Sequence, residues 1–125
     1  MKKILVIDDE PDVISYLSAF LSDEGFSIIT AQNGPDGLKS ARADTPDLIT
    51  LDITMPGMSG IEVLTTLRRD QNLSDIPVIV ITGVSGFQKL MDYREVRPPE
   101  GFLQKPIDLE LLLKTIEKII GESSD

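Results

Sequence analysis

At 125 residues, with 41% hydrophobic and 26% charged, the chain has the size and composition of a single globular domain with a real core, and leaves no case for disorder. A formal net charge of −9 argues against nonspecific binding to nucleic acid or to an anionic membrane. Cysteine and histidine are both absent, which excludes disulfides, thiolate or imidazole metal sites, a Ser/His/Asp triad and any phosphohistidine carried by this chain.

Lys3-Ile4-Leu5-Val6-Ile7 is an aliphatic run suited to a strand buried on both faces, and Asp8-Asp9-Glu10 ends it. It is too short, and too soon interrupted by acid, for a secretory signal, and no apolar run approaches the ~20 residues of a membrane span. Pro11 suits a first helical turn that Asp9 or Glu10 can cap. Val13, Ile14, Leu17, Phe20 and Leu21 then recur at helical spacing until Gly25 stops the helix. A second short strand is predicted over 26–31. After the Asn33-Gly34-Pro35 turn, a helix passes through Leu38 and Ala41 to about Ala43.

The third strand, 48–52, runs straight into Asp52 and then a Pro56-Gly57 turn. Ile61, Leu64 and Leu67 predict a helix closed by Arg68-Arg69, cations favoured at a helix C-terminus. Val78-Ile79-Val80-Ile81-Thr82 is a fourth buried strand. Phe87, Leu90 and Met91 suggest another helix, which must end before Pro98-Pro99. Phe102-Leu103-Gln104 is a short fifth strand. The last segment, with Leu109, Leu112, Leu113, Ile116, Ile119 and Ile120, is strongly amphipathic. The domain is expected over 1–121 and a frayed tail over 122–125. Strict alternation of strand and helix predicts a parallel sheet with helices on both faces, an α/β three-layer sandwich.

Parallel strands share one carboxyl edge, and that edge collects Asp8-Asp9, Asp52, Thr82 and Lys105. Singly each has an ordinary explanation: a helix cap, a β-branched strand residue, a solvated lysine. Together they are harder to dismiss. Three clustered carboxylates raise one another's pKa unless a cation neutralises them, and a hard divalent ion such as Mg²⁺ suits oxygen ligands. Asp52 can then serve as a nucleophile toward phosphorus, with Lys105 and Thr82 offering donors to phosphoryl oxygens.

The set Lys3-Ile4-Leu5-Val6-Ile7-Asp8-Asp9-Glu10, Asp52-Ile53-Thr54-Met55-Pro56-Gly57-Met58-Ser59-Gly60, Thr82 and Lys105-Pro106, in this order and spacing, resembles the response-regulator receiver domain of two-component signalling over nearly the whole chain. The resemblance implies a flavodoxin-like (βα)5 fold with parallel sheet order 2-1-3-4-5. It implies that Asp52 is phosphorylated from the phosphohistidine of a histidine kinase or phosphotransfer protein. Asp9, Asp52 and the Thr54 carbonyl would ligate Mg²⁺, with Asp8 acting mainly through water. Lys105 would hold a phosphoryl oxygen, and its bond to Pro106 would be cis. Thr82 would be the switch hydroxyl and Phe102 the switch aromatic, changing the surface of the fourth helix, fifth strand and last helix to control a partner or output domain. From the residues alone, Phe102 reads as an ordinary core aromatic.

A receiver of this kind is no enzyme beyond its own phosphoryl transfer and dephosphorylation. Cytoplasmic location is expected, with no membrane or direct nucleic-acid partner. The downstream target, a phosphorylation-dependent homodimer, and whether the receiver stands alone stay open. Gly83 stands where the family usually has alanine, and Arg97-Pro98-Pro99-Glu100-Gly101 is an atypical lead-in to the fifth strand. By the same resemblance, Thr54 and Val84 would occupy the two positions that tune phosphoryl lifetime in the family, and Val84 cannot orient an attacking water, so slow self-dephosphorylation is expected. The rivals are a receiver that signals by contact alone, an aspartyl-phosphate hydrolase and a flavodoxin-like cofactor binder. The hydrolase lacks a second acid two residues beyond Asp52, where Thr54 stands, and the cofactor binder lacks a phosphate loop after the first strand.

Overall fold

The aliphatic runs become the strands of one parallel sheet. The computed structural model describes residues 1–83 and 96–123. In chain order the elements are β1 (Lys3–Ile7), α1 (Pro11–Asp23), β2 (Ser27–Ala31), α2 (Gly34–Asp44), β3 (Leu48–Leu51), α3 (Gly60–Arg69), β4 (Val78–Thr82), β5 (Gly101–Gln104) and α4 (Leu109–Ile120). The sheet order is β2-β1-β3-β4-β5, with every neighbouring pair parallel, as expected for the doubly wound α/β fold.

Side-chain alternation along each strand divides the core into two layers. Leu5, Ile7, Ile49, Leu51, Val78 and Val80 face α2 and α3, where they meet Leu38, Ala41, Val63, Leu64 and Leu67. Ile4, Val6, Leu48, Ile79 and Ile81 face the other side, toward Ile14, Leu17, Leu21, Leu112 and Ile116 of α1 and α4. The three inner strands are buried on both faces, which is why they read as unbroken aliphatic runs.

Element ends differ from the sequence reading where local hydrogen bonding decides them. β2 begins at Ser27, because Phe26 turns into the core beside α1. α2 continues to Asp44 and closes on Thr45, whose φ of 44° is left-handed. Asn33 caps α2 through Asp36 N, Ser59 and Glu62 form a capping box on α3, and Asp108 caps α4. Glu10 takes the N-cap position of α1, but its side chain makes no capping bond, contrary to expectation. The segment expected as a tail is held as far as Ser123, whose carbonyl accepts from Lys2 N at 3.0 Å and whose Oγ donates to the Glu24 carbonyl at 2.8 Å. Lys2 Nζ also donates to the Ile120 carbonyl. The helix expected around Phe87, Leu90 and Met91 lies outside the described residues, as do Val84, Ser124 and Asp125.

Arg68 is more than a terminal cation on α3. Its side chain is 2% exposed and paired with Glu100 Oε1 at 2.7 Å. It also donates to the carbonyls of Ile76 at 2.8 Å, Ser74 at 3.4 Å, Arg97 at 3.1 Å and Pro98 at 3.2 Å. Glu100 Oε1 accepts in addition from Val78 N at 2.7 Å, so the atypical lead-in to β5 is clasped to the start of β4.

Candidate functional site

Asp8, Asp52 and Lys105 are each fixed by one more rung of the parallel ladder beyond their strands. Asp8 N donates to the Ala31 carbonyl at 3.1 Å, Asp52 N to the Ile7 carbonyl at 3.0 Å and Lys105 N to the Thr82 carbonyl at 2.9 Å. The ends of β1, β3, β4 and β5 thereby converge on one crevice at the carboxyl edge of the sheet, the usual ligand position in open α/β sheets. The crevice has a volume of about 320 Å³ and is lined by Asp9, Glu10, Asp52, Thr54, Gly83 and Lys105.

Asp8 and Asp52 are each only 3% exposed. Lys105 Nζ lies 3.2 Å from Asp8 Oδ2, 3.1 Å from Glu10 Oε1 and 3.6 Å from Asp52 Oδ2. Asp8 Oδ1 accepts from Glu10 N at 2.9 Å, and Asp52 Oδ1 accepts from Thr54 N at 3.3 Å. Asp52 is thus oriented on one side by its own turn and on the other by the ammonium. That turn closes because Gly60, at the start of α3, lies directly on the chain leaving β3. A Cβ there would meet the Asp52 carbonyl oxygen and approach Ile53 Cα to 2.6 Å. Gly60→Ala is therefore expected to cost about 1–2 kcal/mol through forced backbone displacement, read as a lowered urea midpoint. A change within error would show that α3 can retreat without cost.

The electrostatics follow from burial. Burial, and next to it the negative charge of Asp8, pushes the Asp52 carboxyl up to about 6, against the pull of Lys105 and the Thr54 N–H. Burial also raises Asp8, although the Glu10 N–H and Lys105 oppose it. Burial disfavours the Lys105 ammonium, but Glu10, Asp52 and Asp8 outweigh that effect and hold its pKa above the ordinary lysine range. The carboxylates of Asp8, Asp9, Glu10 and Asp52 offer oxygen atoms that all lie within 4.8 Å of one another. An all-oxygen donor set in which burial makes the Asp8 and Asp52 carboxyls resist ionisation fits a hard divalent cation.

The fold thus brings Asp8, Asp9, Asp52, Thr54 and Lys105 together. Thr82, 4% exposed, ends the adjoining strand, paired in register with Gln104, and Phe102 packs half-buried against the core layer under α2 and α3. Neither Thr82 nor Phe102 lines the crevice. The Lys105–Pro106 peptide is cis. Sequence reasoning passed over Glu10 as a site residue. The available signal was the third acid of the Asp8-Asp9-Glu10 run, which the neighbouring Pro11 made look like a cap.

The family profile for the response regulator receiver domain matches residues 4–117. The chain is 37% identical over 122 residues to protein PilH of Pseudomonas aeruginosa, covering 97% of this chain and 99% of PilH. Several other curated relatives are longer, and the chain spans between 26% and 49% of their length. Among solved structures, CheY4 of Vibrio cholerae superposes with a TM-score of 0.86 at 30% identity, covering 95% of this chain and 98% of CheY4. TrrA of Thermotoga maritima, determined in complex with Mg²⁺ and BeF, gives a TM-score of 0.84 at 34% identity, covering 95% of this chain and 99% of TrrA.

Proposed function

The chain belongs to the response regulator receiver family, and on that premise we propose that it is a switch thrown by phosphorylation of Asp52 from the phosphohistidine of a histidine kinase or phosphotransfer protein. The observation that carries this reading is the pairing of two carboxylates, each 3% exposed, with one ammonium at the mouth of the β3 crevice. A buried carboxylate held by a lysine, with no histidine or cysteine in the chain to take its place, is the nucleophile this site can offer.

In the proposed step an Asp52 oxygen attacks phosphorus, the donor's P–N bond breaks and the leaving imidazole keeps that electron pair and takes up a proton. The product is an acyl phosphate on Asp52. Lys105, already 3.6 Å from Asp52 Oδ2, holds a phosphoryl oxygen and balances charge during transfer. Asp9, Asp52 and the Thr54 carbonyl would hold Mg²⁺, with Asp8 acting mainly through water, and the ion would supply charge neutralisation for the phosphoryl oxygens. The Thr82 hydroxyl then has a reason to move toward the new oxygens, and Phe102 to repack into the space it leaves. The surface built on β5 and α4 would carry that change to a downstream protein or output domain, or to a second copy of the chain.

Among the described residues no helix is long and apolar enough to cross a membrane, and a kinase donor places the proposed work in the cytoplasm. The proposed receiver unit is 1–121, with 122–125 beyond it. It is a switch rather than an enzyme acting on other substrates, apart from its own phosphoryl transfer and dephosphorylation. Intact mass after incubation with Mg²⁺ and acetyl phosphate tests the reading. The parent chain is expected to gain one phosphoryl group and Asp52→Asn none. No adduct on the parent, together with no binding of beryllofluoride, would leave a receiver that signals by contact alone.

A further inference from the structure

Glu10 sits at the N-cap of α1, where an acidic side chain would ordinarily turn back to the helix N–H groups, and it makes no such bond. Its carboxylate instead reaches Lys105 Nζ at 3.1 Å, the shortest of the lysine's three carboxylate contacts. Asp8 and Asp52 are buried, whereas the Glu10 side chain is 59% exposed and lies on the solvent side of the ammonium. An incoming phosphoryl group must approach from that open side, where Glu10 and Lys105 both line the crevice. Lys105 has three N–H donors, and three carboxylates face them before phosphorylation.

We infer that Glu10 is a positioning residue that holds Lys105 before phosphorylation and competes with the phosphoryl group for its ammonium. For Lys105 to hold a phosphoryl oxygen on Asp52, one carboxylate contact must yield. Glu10 is the partner that can yield most easily. It is the solvated one, its release buries no unpaired charge, and it supports no helix cap. Its negative charge also stands in the path of any phosphoanion arriving without a kinase. Glu10 therefore slows uptake from small phosphodonors and leaves the fold intact when it lets go. This inference rests on the reading of Asp52 as acceptor and of Lys105 as its phosphoryl partner.

The test is the initial rate of phosphoryl uptake from acetyl phosphate at saturating Mg²⁺ and low salt, followed by intact mass. Five proteins are compared: the parent, Glu10→Gln, Lys105→Ala, the double variant, and Asp23→Asn as an equal charge change at the far end of α1. Glu10→Gln is expected to raise the rate about threefold or more, on the scale of one exposed ion pair plus one removed like charge. Asp23→Asn should stay near the parent. In the Lys105→Ala background, measured over hours if uptake is slow, the gain from Glu10→Gln should vanish. A rate for Glu10→Gln at or below the parent's would overturn the inference. So would an undiminished gain without Lys105, which would mean plain repulsion of the donor. No uptake by the parent would overturn the acceptor reading itself, and this inference with it.

Discussion

Arg68→Met is expected to destabilise the protein by about 3 kcal/mol, the low end of what breaking a buried ion pair costs, because Glu100 retains some solvent. The methionine can fill the space of the Arg68 stem but offers no donor. Left behind are the Glu100 carboxylate, still tied to Val78 N and to Arg97 Nε, and the carbonyls of Ile76, Arg97 and Pro98, while the Ser74 carbonyl keeps its bond from Arg97 Nη2. Burial disfavours ionisation of both partners. It lowers Arg68, but in Glu100 the Val78 N–H and Arg68 overcome it and hold the carboxyl below its usual range. Removing the guanidinium removes the second of those supports. Arg68→Lys should recover less than half of the loss, since a single ammonium cannot span a fork that reaches four carbonyls and a carboxylate. Arg69→Met, one residue along on the exposed side of α3, is the control and should change little. Urea midpoints for the three variants decide the matter, and equal losses at 68 and 69 would contradict the clasp. A functional cost should accompany the structural one. Glu100 N and its side chain both bond to Val78, fixing the start of β5, and the β4–β5 register set there carries Lys105 to the crevice.

The sheet was legible because its inner strands are buried on both faces and so become unbroken aliphatic runs. The active edge was legible for the same reason, since those runs stop at Asp8, Asp52 and Thr82 and leave polar residues at strand ends. Glu10 and Arg68 were hidden by local rules that are sound on average. An acid before Pro11 looks like a cap, and an arginine closing α3 looks like a cation for the helix dipole. Both are instead committed to partners far along the chain. Lys105 is 95 residues from Glu10, and Glu100 is 32 residues from Arg68. No periodicity reports such a pairing.

The acceptor site should also be a source of instability, and Asp52→Asn should relieve it. With divalent ions removed by chelator, the variant is expected to be more stable than the parent at pH 7.5 by an amount approaching about 3 kcal/mol, the free-energy equivalent of moving a carboxyl from 3.8 to about 6. The direction follows from proton linkage. Folding raises the Asp52 pKa, so the folded chain prefers the protonated acid, and its full contribution is present below 3.8. That contribution is lost as pH rises from about 4 through about 6, where the carboxylate ionises beside Asp8. The gap between variant and parent should therefore be small near pH 4, open across that window and stay level above it. Groups away from the site titrate alike in both proteins, among them Glu100, whose lowered pKa works in the opposite sense, and they cancel in the difference, whereas Asp8, coupled to Asp52, does not. Adding Mg²⁺ at pH 7.5 should close the gap from the parent's side, because an ion that binds the folded acid cluster and not the unfolded chain stabilises only the fold that presents it. Urea titrations of both proteins across pH 4.5–8, with chelator and with Mg²⁺, test each part. Equal stability of parent and variant at pH 7.5 in chelator would mean that Lys105 fully compensates the buried charge. The carboxylate would then need no ion to make ionisation tolerable, and the argument for a cation at this site would lose its electrostatic footing.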